Sequence, residues 1–364
     1  MTDQRVARTC AALHEAGYRV TLIGRQLDDT TPLQRPYRTV RLRLLFRRKV
    51  WFYAELNLRL FWWMLWHKAD LLYANDTDTL VACYLAARLR RKPLFFDAHE
   101  LFPEVPELVD RPRVRRVWQR LEDHILPRIG KRVRGTAVTV TQSIADHYRQ
   151  RYGVEMGVVR NVPDVATEVA PPPSIDLQGR RMLLYQGAVN AGRCVDRLID
   201  AMAYLPDCQL VVAGDGDLRE ELERRAAAVE WHDRIVFLGR LTPAQLRALT
   251  PQASLGLVLM ENMGLNYYYS LPNRVGDFVR AGVPLLVSDF PELRRVVDAY
   301  HVGLIVDMDD LDSASLAGFV QLILQQWASL SASERSERFA RAAADLSWDN
   351  DKKVLLQRVH TIIC

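Results

Sequence analysis

A chain of 364 residues, 49% hydrophobic and 26% charged, has the composition of a soluble globular protein with room for two ordinary domains. Its net charge of +5 conceals a split, because residues 1–163 hold 29 Lys and Arg against 17 Asp and Glu, leaving 20 against 27 in the remainder. No apolar run reaches the ~18 residues of a membrane span and no signal-peptide core follows Met1, so a cytosolic chain is expected, while Cys10, Cys83, Cys194, Cys208 and Cys364 show no Cys-x-x-Cys spacing and read as reduced thiols.

In chain order, an amphipathic helix over Thr2–Ala16 ends at Gly17 and is followed by a strand, Arg19–Ile23. Residues 38–49 carry six basic residues, with Val40, Leu42 and Leu44 alternating as in a strand. Val50–His67 is crowded with aromatics, and Glu55 and Arg59 four apart fit a helix and argue against a span. Two readings stand for it. The helix dips its aromatic face into a membrane interface beside the basic strand, or it packs on the sheet with its aromatics in the core. The apolar residues surround most of the helix, which favours packing.

Next come a strand at Leu71–Tyr73, a helix at Thr79–Leu89, and a strand at Pro93–Phe96 running into Asp97-Ala98-His99-Glu100. Arg113–Ile129 is helical, Ala137–Val140 a strand, Ser143–Tyr152 a helix with Ser143 as its cap, and Gly157–Val159 a strand. A proline-rich linker carries Pro171-Pro172-Pro173, and the alternation restarts. Strands at Arg181–Tyr185, Gln209–Ala213, Ile235–Phe237 and Leu255–Leu259 alternate with helices at Val195–Tyr204, Leu218–Val229 and Pro243–Leu249, and a last helix covers Leu346–Ile363. Two α/β, doubly wound Rossmann-like domains follow, with ligands expected outside the carboxyl ends of the strands. The division is 1–165 for the first domain, 166–178 for the linker and 179–345 for the second, with 346–364 a helix crossing back to the first.

Tyr267–Asp289 holds the clearest local signal. Ser270 is placed as an N-cap with Leu271 behind it, Pro272 in the first turn, and Asn273 and Asp277 on one face. Arg274 in the first turn suits a phosphate, and Asp277 one turn on suits an attached ribose. Gly187, Asn190, Gly192 and Arg193 follow one strand, and Gly214-Asp215-Gly216 follows the next. Each is weak alone; together they outline a nucleotide-linked ligand. In the first domain His99 and Glu100 sit at a strand mouth as site candidates. Asp76-Thr77-Asp78 imitates the Asp-x-Asp metal site of single-domain sugar transferases, but a cap or turn role is favoured. Zinc is not supported, since Pro103 stands where His-Glu-x-x-His needs histidine. The basic residues form no recognisable nucleic-acid reader.

These motifs resemble glycosyltransferase family 4, a group of GT-B sugar-nucleotide transferases, along nearly the whole chain. The resemblance rests on Asn75-Asp76-x-Asp78-Thr79-Leu80, Asp97-Ala98-His99-Glu100 with Glu104-Val105-Pro106-Glu107-Leu108, Arg160-Asn161-Val162-Pro163, Tyr185-Gln186-Gly187 with Gly192-Arg193, Gly214-Asp215-Gly216, and Ser270-Leu271-Pro272-Asn273-Arg274 with Asp277 and Ala281-Gly282-x-Pro284. It implies a nucleotide-sugar donor held by the second domain, a glycan or lipid-linked acceptor met by the first at Asn75, Asp76 and Glu100, and transfer with retention in the cleft. No obligatory metal or other cofactor is implied, so cations and helix N-termini must stabilise the departing diphosphate. Arg193 stands where the family has a diphosphate-binding lysine, Arg274 is a second cation, and His99 matches a histidine near the transferred sugar. Asp277 matches the second acid of the family's Glu-x7-Glu motif. Its first acid falls at Tyr269, with Glu261 a substitute from the preceding loop, and the arginine expected after the strand glycine is Ala188. The family also begins with a strand and a glycine-containing loop ahead of the first helix. The expectation is a native start further upstream; the alternative is a lost strand with exposed hydrophobic edges. A position on the inner face of the plasma membrane, through the basic first domain, is a further expectation. The alternatives are a GT-B epimerase acting on the donor alone and a non-catalytic sugar-nucleotide-binding protein.

Overall fold

The computed structural model describes residues 4–26, 34–162 and 170–363, so Pro163 and the beginning of the expected linker lie outside the described residues. Two compact units divide the chain: residues 1–161, 264–266 and 348–364 make the first, and residues 162–263 and 267–347 the second.

The first unit opens with α1 (Gln4–Glu15), β1 (Thr21–Arg25), β2 (Arg38–Leu42) and α2 (Lys49–Trp66). It continues through β3 (Leu72–Asn75), α3 (Thr77–Arg90), β4 (Leu94–Ala98), a single turn α4 (Pro106–Val109), α5 (Pro112–Ile125), β5 (Gly135–Thr139), α6 (Gln142–Tyr152) and β6 (Met156–Val158). All pairings are parallel: β1 lies beside β2, and β3-β4-β5-β6 form a second sheet in chain order. Among the described residues no strand joins β1 to β3. Helix α6 is capped by Thr141, whose hydroxyl accepts from Ile144 N–H at 3.4 Å, and not by Ser143, which lies buried inside the helix. The side chain at the residue in the extended, non-helical conformation is the one that faces the first free N–H groups.

The second unit runs β7 (Arg181–Gln186), α7 (Val195–Ala201), β8 (Cys208–Ala213), α8 (Arg219–Ala227), β9 (Ile235–Phe237), α9 (Pro243–Leu249), β10 (Leu255–Val258), α10 (Leu265–Tyr268, whose first two residues fall in the first unit), α11 (Asn273–Ala281) and β11 (Leu285–Ser288). Then α12 (Pro291–Tyr300), β12 (Gly303–Val306), α13 (Ser313–Ser329) and α14 (Ala332–Asp345) fill a stretch to which sequence reading assigns nothing. The six strands pair in parallel in the order β12-β11-β10-β7-β8-β9. The winding direction therefore reverses between β7 and β10, the point where such sheets leave a crevice at their carboxyl ends. Leu183, Leu184, Leu210, Val211, Leu257 and Leu286 are buried, as expected when helices cover both faces of a parallel sheet.

Helix α15 (Trp348–Ile363) belongs to the first unit. Its Leu355 and Val359 pack with Ala12 and Leu13 of α1 against Phe95, Val138 and Val159. Asp351 of α15 holds Arg160, accepting from its backbone N–H at 2.9 Å and its guanidinium at 3.0 Å. One buried ion pair ties α1 to the sheet: the Arg5 guanidinium donates to Asp97 Oδ1 at 2.7 Å and to the Val159 carbonyl at 2.6 Å. Both residues are almost fully buried, so removing one charge strands the other. Arg5→Met is expected to lower the unfolding free energy by about 3–5 kcal/mol, read from urea midpoints. Arg5→Met combined with Asp97→Asn should recover part of that loss, because no buried charge remains unpaired.

Candidate active site

In the first unit, parallel register sets the carboxyl ends of β3 and β4 side by side, with Asn75 opposite Asp97. Asp76 occupies the cap position of α3 at φ +59°, and its side chain makes no cap hydrogen bond. The expected cap or turn role is thus kept by the backbone, whose carbonyl accepts from Thr79 N–H at 3.4 Å, and not by the side chain. The carboxylate turns instead to His99: Oδ1 accepts from the His99 backbone N–H at 2.7 Å, and Oδ2 lies 3.2 Å from Nδ1. On the other side of the ring, His99 Nε2 is 3.6 Å from Asp97 Oδ2, which also accepts from the Tyr73 hydroxyl at 2.8 Å. Glu100 accepts from the Asn266 amide at 3.5 Å, and Asn266 Oδ1 accepts from Leu101 N–H at 3.0 Å. Asn75 points a buried Oδ1 toward no partner among the described residues.

The charges of this cluster are settled by burial and pairing together. Burial alone would lower the His99 imidazole, but Asp76 and then Asp97 overcome it and push it up to about 9. Burial likewise acts to raise Asp97, yet Arg5 and His99 hold it well below the usual carboxylate range. Burial raises Asp76, with His99 opposing. At neutral pH His99 is therefore an imidazolium, a donor at both nitrogens.

In the second unit the switch-point crevice between β7 and β10 gathers most of the predicted residues. Gly187 follows β7 at φ +131°, a conformation that suits glycine. Beside it Arg274 lies buried, donating one Nη to the Gln186 carbonyl at 3.0 Å, with its guanidinium 4.8 Å over the Tyr185 ring. Its Nε and second Nη have no partner among the described residues. Arg193 stacks 4.5 Å over Tyr267 and reaches Met260 Sδ at 2.9 Å. Burial, reinforced by Arg193 and opposed by Tyr185, lowers Arg274 from its ordinary value. Two arginines held close together, one buried with spare donors, form a ready seat for an anion.

Asp277 lies three residues beyond Arg274, and Gln186 serves both: its carbonyl accepts from Arg274 and its amide donates to Asp277 at 3.1 Å. Thr250 donates to the Gln186 Oε1 at 3.0 Å, fixing that amide. Burial raises Asp277 to about 6, against Arg280 and Arg247. Glu261 is exposed, and its backbone N–H donates to the Gly192 carbonyl at 3.0 Å, so Gly192, Glu261 and Arg193 share one edge of the crevice. Helix α11 starts at Asn273, with Pro272 at its N-cap. The expected Ser270 cap is therefore corrected: its hydroxyl donates to the Tyr267 carbonyl at 2.8 Å and closes the preceding turn. Leu271 and Pro272 are half-buried in that turn and Asn273 is exposed. The helix ends as its sequence requires, Gly282 at φ +71° and Val283 N–H donating to Phe278 O at 3.0 Å.

The two glycine-containing turns interlock. A Cβ on Gly214 would stand 1.8 Å from the Gly187 carbonyl, and one on Gly216 would stand 2.2 Å from Asn190 Oδ1, the atom that accepts from Asp217 N–H at 3.0 Å. These glycines are needed for backbone-to-backbone approach. Asp215 is exposed, bonded at 3.0 Å to its neighbour Gly216 N–H and 3.8 Å from Arg219. Sequence reading missed Gln186, Tyr267 and Met260 as site walls; Gln186 lay inside a quoted motif, but nothing local announces that its amide holds Asp277.

Comparison with known proteins agrees with this geometry. Residues 3–166 match the profile of Glycosyltransferase Family 4 and residues 173–345 that of Glycosyl transferases group 1. Alpha-D-kanosaminyltransferase from Streptomyces kanamyceticus is 27% identical over 175 residues, 47% of this chain and 42% of that protein, so the match spans less than half of that relative's length. Sucrose-phosphate synthase from Thermosynechococcus elongatus superposes with a TM-score of 0.73 at 18% identity, covering 98% of this chain and 91% of the other. Anabaena HepE in complex with UDP-glucose superposes with a TM-score of 0.65 at 16% identity, covering 85% and 82%. Two Rossmann-like α/β units with parallel sheets, together with these neighbours, define the GT-B class. Within that class, the chain belongs to glycosyltransferase family 4.

Gly214→Ala must force the two turns apart and is expected to cost about 3 kcal/mol or more, measured by denaturant unfolding. The His99 charge gives a pH test. Its stabilisation is complete below the ordinary value near pH 6.5 and is lost as pH rises through about 9. The stability advantage of the native protein over His99→Gln should shrink by about 3 kcal/mol between pH ~6 and ~10. A difference that does not change with pH would mean that His99 is neutral in the fold.

Proposed function

We propose that this protein moves a sugar from a nucleotide-sugar donor to a glycan or lipid-linked acceptor, with retention at the anomeric carbon and no obligatory metal. The observation that carries the reading is Arg274, buried, lowered by desolvation, and left with two nitrogens unpartnered among the described residues, beside Arg193. A buried cation without a counter-charge is costly, and a diphosphate supplies that charge when it binds. As the sugar departs, charge grows on the diphosphate, and two preorganised guanidinium groups stabilise it without reorganising. Asp277, oriented by Gln186, takes the ribose hydroxyls. Asn190, Gly192 and Glu261 border the donor, with Glu261 replacing the carboxylate absent at Tyr269. In the first unit His99 donates as an imidazolium to the sugar or acceptor, while Asn75, Asp76 and Glu100 lie on the acceptor side. The four-part division of the chain, with a linker at 166–178, belongs to this proposal, as does a cytosolic chain in peripheral contact with the inner face of the membrane. The family match is to transferases and does not favour the epimerase reading.

A thermal-shift panel of UDP-, GDP-, ADP- and dTDP-sugars tests donor binding. One nucleotide class should raise the melting temperature, and Arg193→Ala should weaken its affinity by about 10–100-fold, the value of a lost charge-assisted contact. Arg274→Lys, which keeps a cation but not the stacked fork, should weaken it comparably. No shift with any of the four would overturn the donor-site assignment, and product analysis with donor alone separates transfer from epimerisation.

A further inference from the structure

We propose that the outward face of α2 is a membrane-docking surface, which seats the first unit on an anionic bilayer with its tryptophans at the lipid interface. The inference deepens the peripheral contact proposed above and rests on it.

Helix α2 separates its faces cleanly. Leu56, Leu60 and Met64 are buried, and on the opposite side Trp51, Leu58, Trp62 and Trp66 form one stripe, 64%, 57%, 50% and 79% exposed. The packing expectation from sequence is thus half right. Tyr53 turns inward, its ring 5.1 Å from that of Trp118, while three tryptophans face out. Phe46 continues the stripe, its ring 6.0 Å from Trp51. Nine of the fourteen large hydrophobic side chains exposed among the described residues fall between Leu45 and Leu89. Apolar surface concentrated in this way marks an interaction site, since scattered single residues are the ordinary case.

The chemistry of the stripe selects lipid. Tryptophan places an apolar body and one N–H donor at a lipid–water boundary. The carboxylate on this face, Glu55, is already neutralised, accepting from Arg59 at 2.8 Å and from Leu45 and Phe46 N–H groups at 2.8 Å each. Basic residues stand at both ends: Arg43, Arg47 and Arg48 are exposed before the helix, and Lys68, Arg88 and Arg91 beyond it. An apolar stripe between clusters of cations complements anionic headgroups over acyl chains. The helix is also held firmly. Asn57 donates to the Asp78 carbonyl at 2.7 Å and accepts from Ala82 N–H at 3.0 Å, and Arg90 closes the last turn on the Met64 and His67 carbonyls at 2.5 and 2.8 Å. No helix among the described residues is long and apolar enough to cross a membrane, so α2 would lie in the interface plane.

Flotation with vesicles of equimolar phosphatidylglycerol and phosphatidylcholine, without donor or acceptor, tests the surface. The full chain should float with these vesicles and bind phosphatidylcholine alone far more weakly. Trp62→Gln with Trp66→Gln, both exposed and so expected to fold, should lower partitioning about tenfold or more. Acyl-chain-brominated lipid should quench tryptophan fluorescence in the native chain and much less in the double variant. Absence of binding overturns both the surface and the peripheral contact. Binding that salt abolishes and the tryptophan changes leave intact overturns the surface and leaves only a basic contact. A dimer that the double variant dissociates, with vesicle binding unchanged, overturns it in favour of a second copy of the chain. Donor shifts measured on the same variants should match the native protein, so failure here is distinct from failure of the sugar-transfer reading.

Discussion

Parallel strand pairing is the constraint on which everything else here depends. Strands that run the same way deliver all their carboxyl-end loops to one edge of the sheet. In the first unit this brings Asp76 from β3 and His99 from β4 within 3.2 Å, although they are 23 residues apart in the chain. In the second unit it brings the turns after β7 and β8 into backbone contact and sets Gly192 against the loop after β10. Neither group of residues has a site without the sheet beneath it.

The two units treat buried charge in opposite ways. Around β4 every buried charge has a partner: Arg5 meets Asp97, and His99 lies between Asp97 and Asp76. Such a network orients a ring and fixes its protonation. Around β7 the cations are left open. Arg274 spends one nitrogen on a backbone carbonyl and its face on Tyr185, and its Nε and second Nη have no hydrogen-bond partner among the described residues. Desolvation without compensation makes a structural cost that a bound anion removes. The electrostatics therefore separate a region whose buried charges are paired from one whose buried arginine keeps donors open among the described residues.

Much of the architecture was legible because its signals are local. The strands of the second sheet are short apolar runs between turn residues, and β9 and α9 match the sequence reading residue for residue. The end of α11 follows directly from Gly282 and Pro284. Caps were less legible. Ser270 and Ser143 have the right chemistry, yet Pro272 and Thr141 hold the cap positions, because the backbone angle at one residue decides which side chain faces the free N–H groups. Apolar residues surround most of α2, so its sequence favours packing over a membrane interface without deciding between them. Only packing reveals that one stripe is exposed among the described residues.

The sequence by itself determined the family, the alternation of strands and helices, and the identity of the residues at the strand ends, since these reside in residue type and spacing. Tertiary structure alone decided what those residues do to one another. It turned the Asp76 side chain at the cap position toward His99, gave Gly214 the task of admitting a carbonyl, and left Arg274 a buried cation with donors unpartnered among the described residues. Burial and pairing are properties of neighbours distant in the chain, and the charge state of a histidine or the readiness of an arginine is set by them.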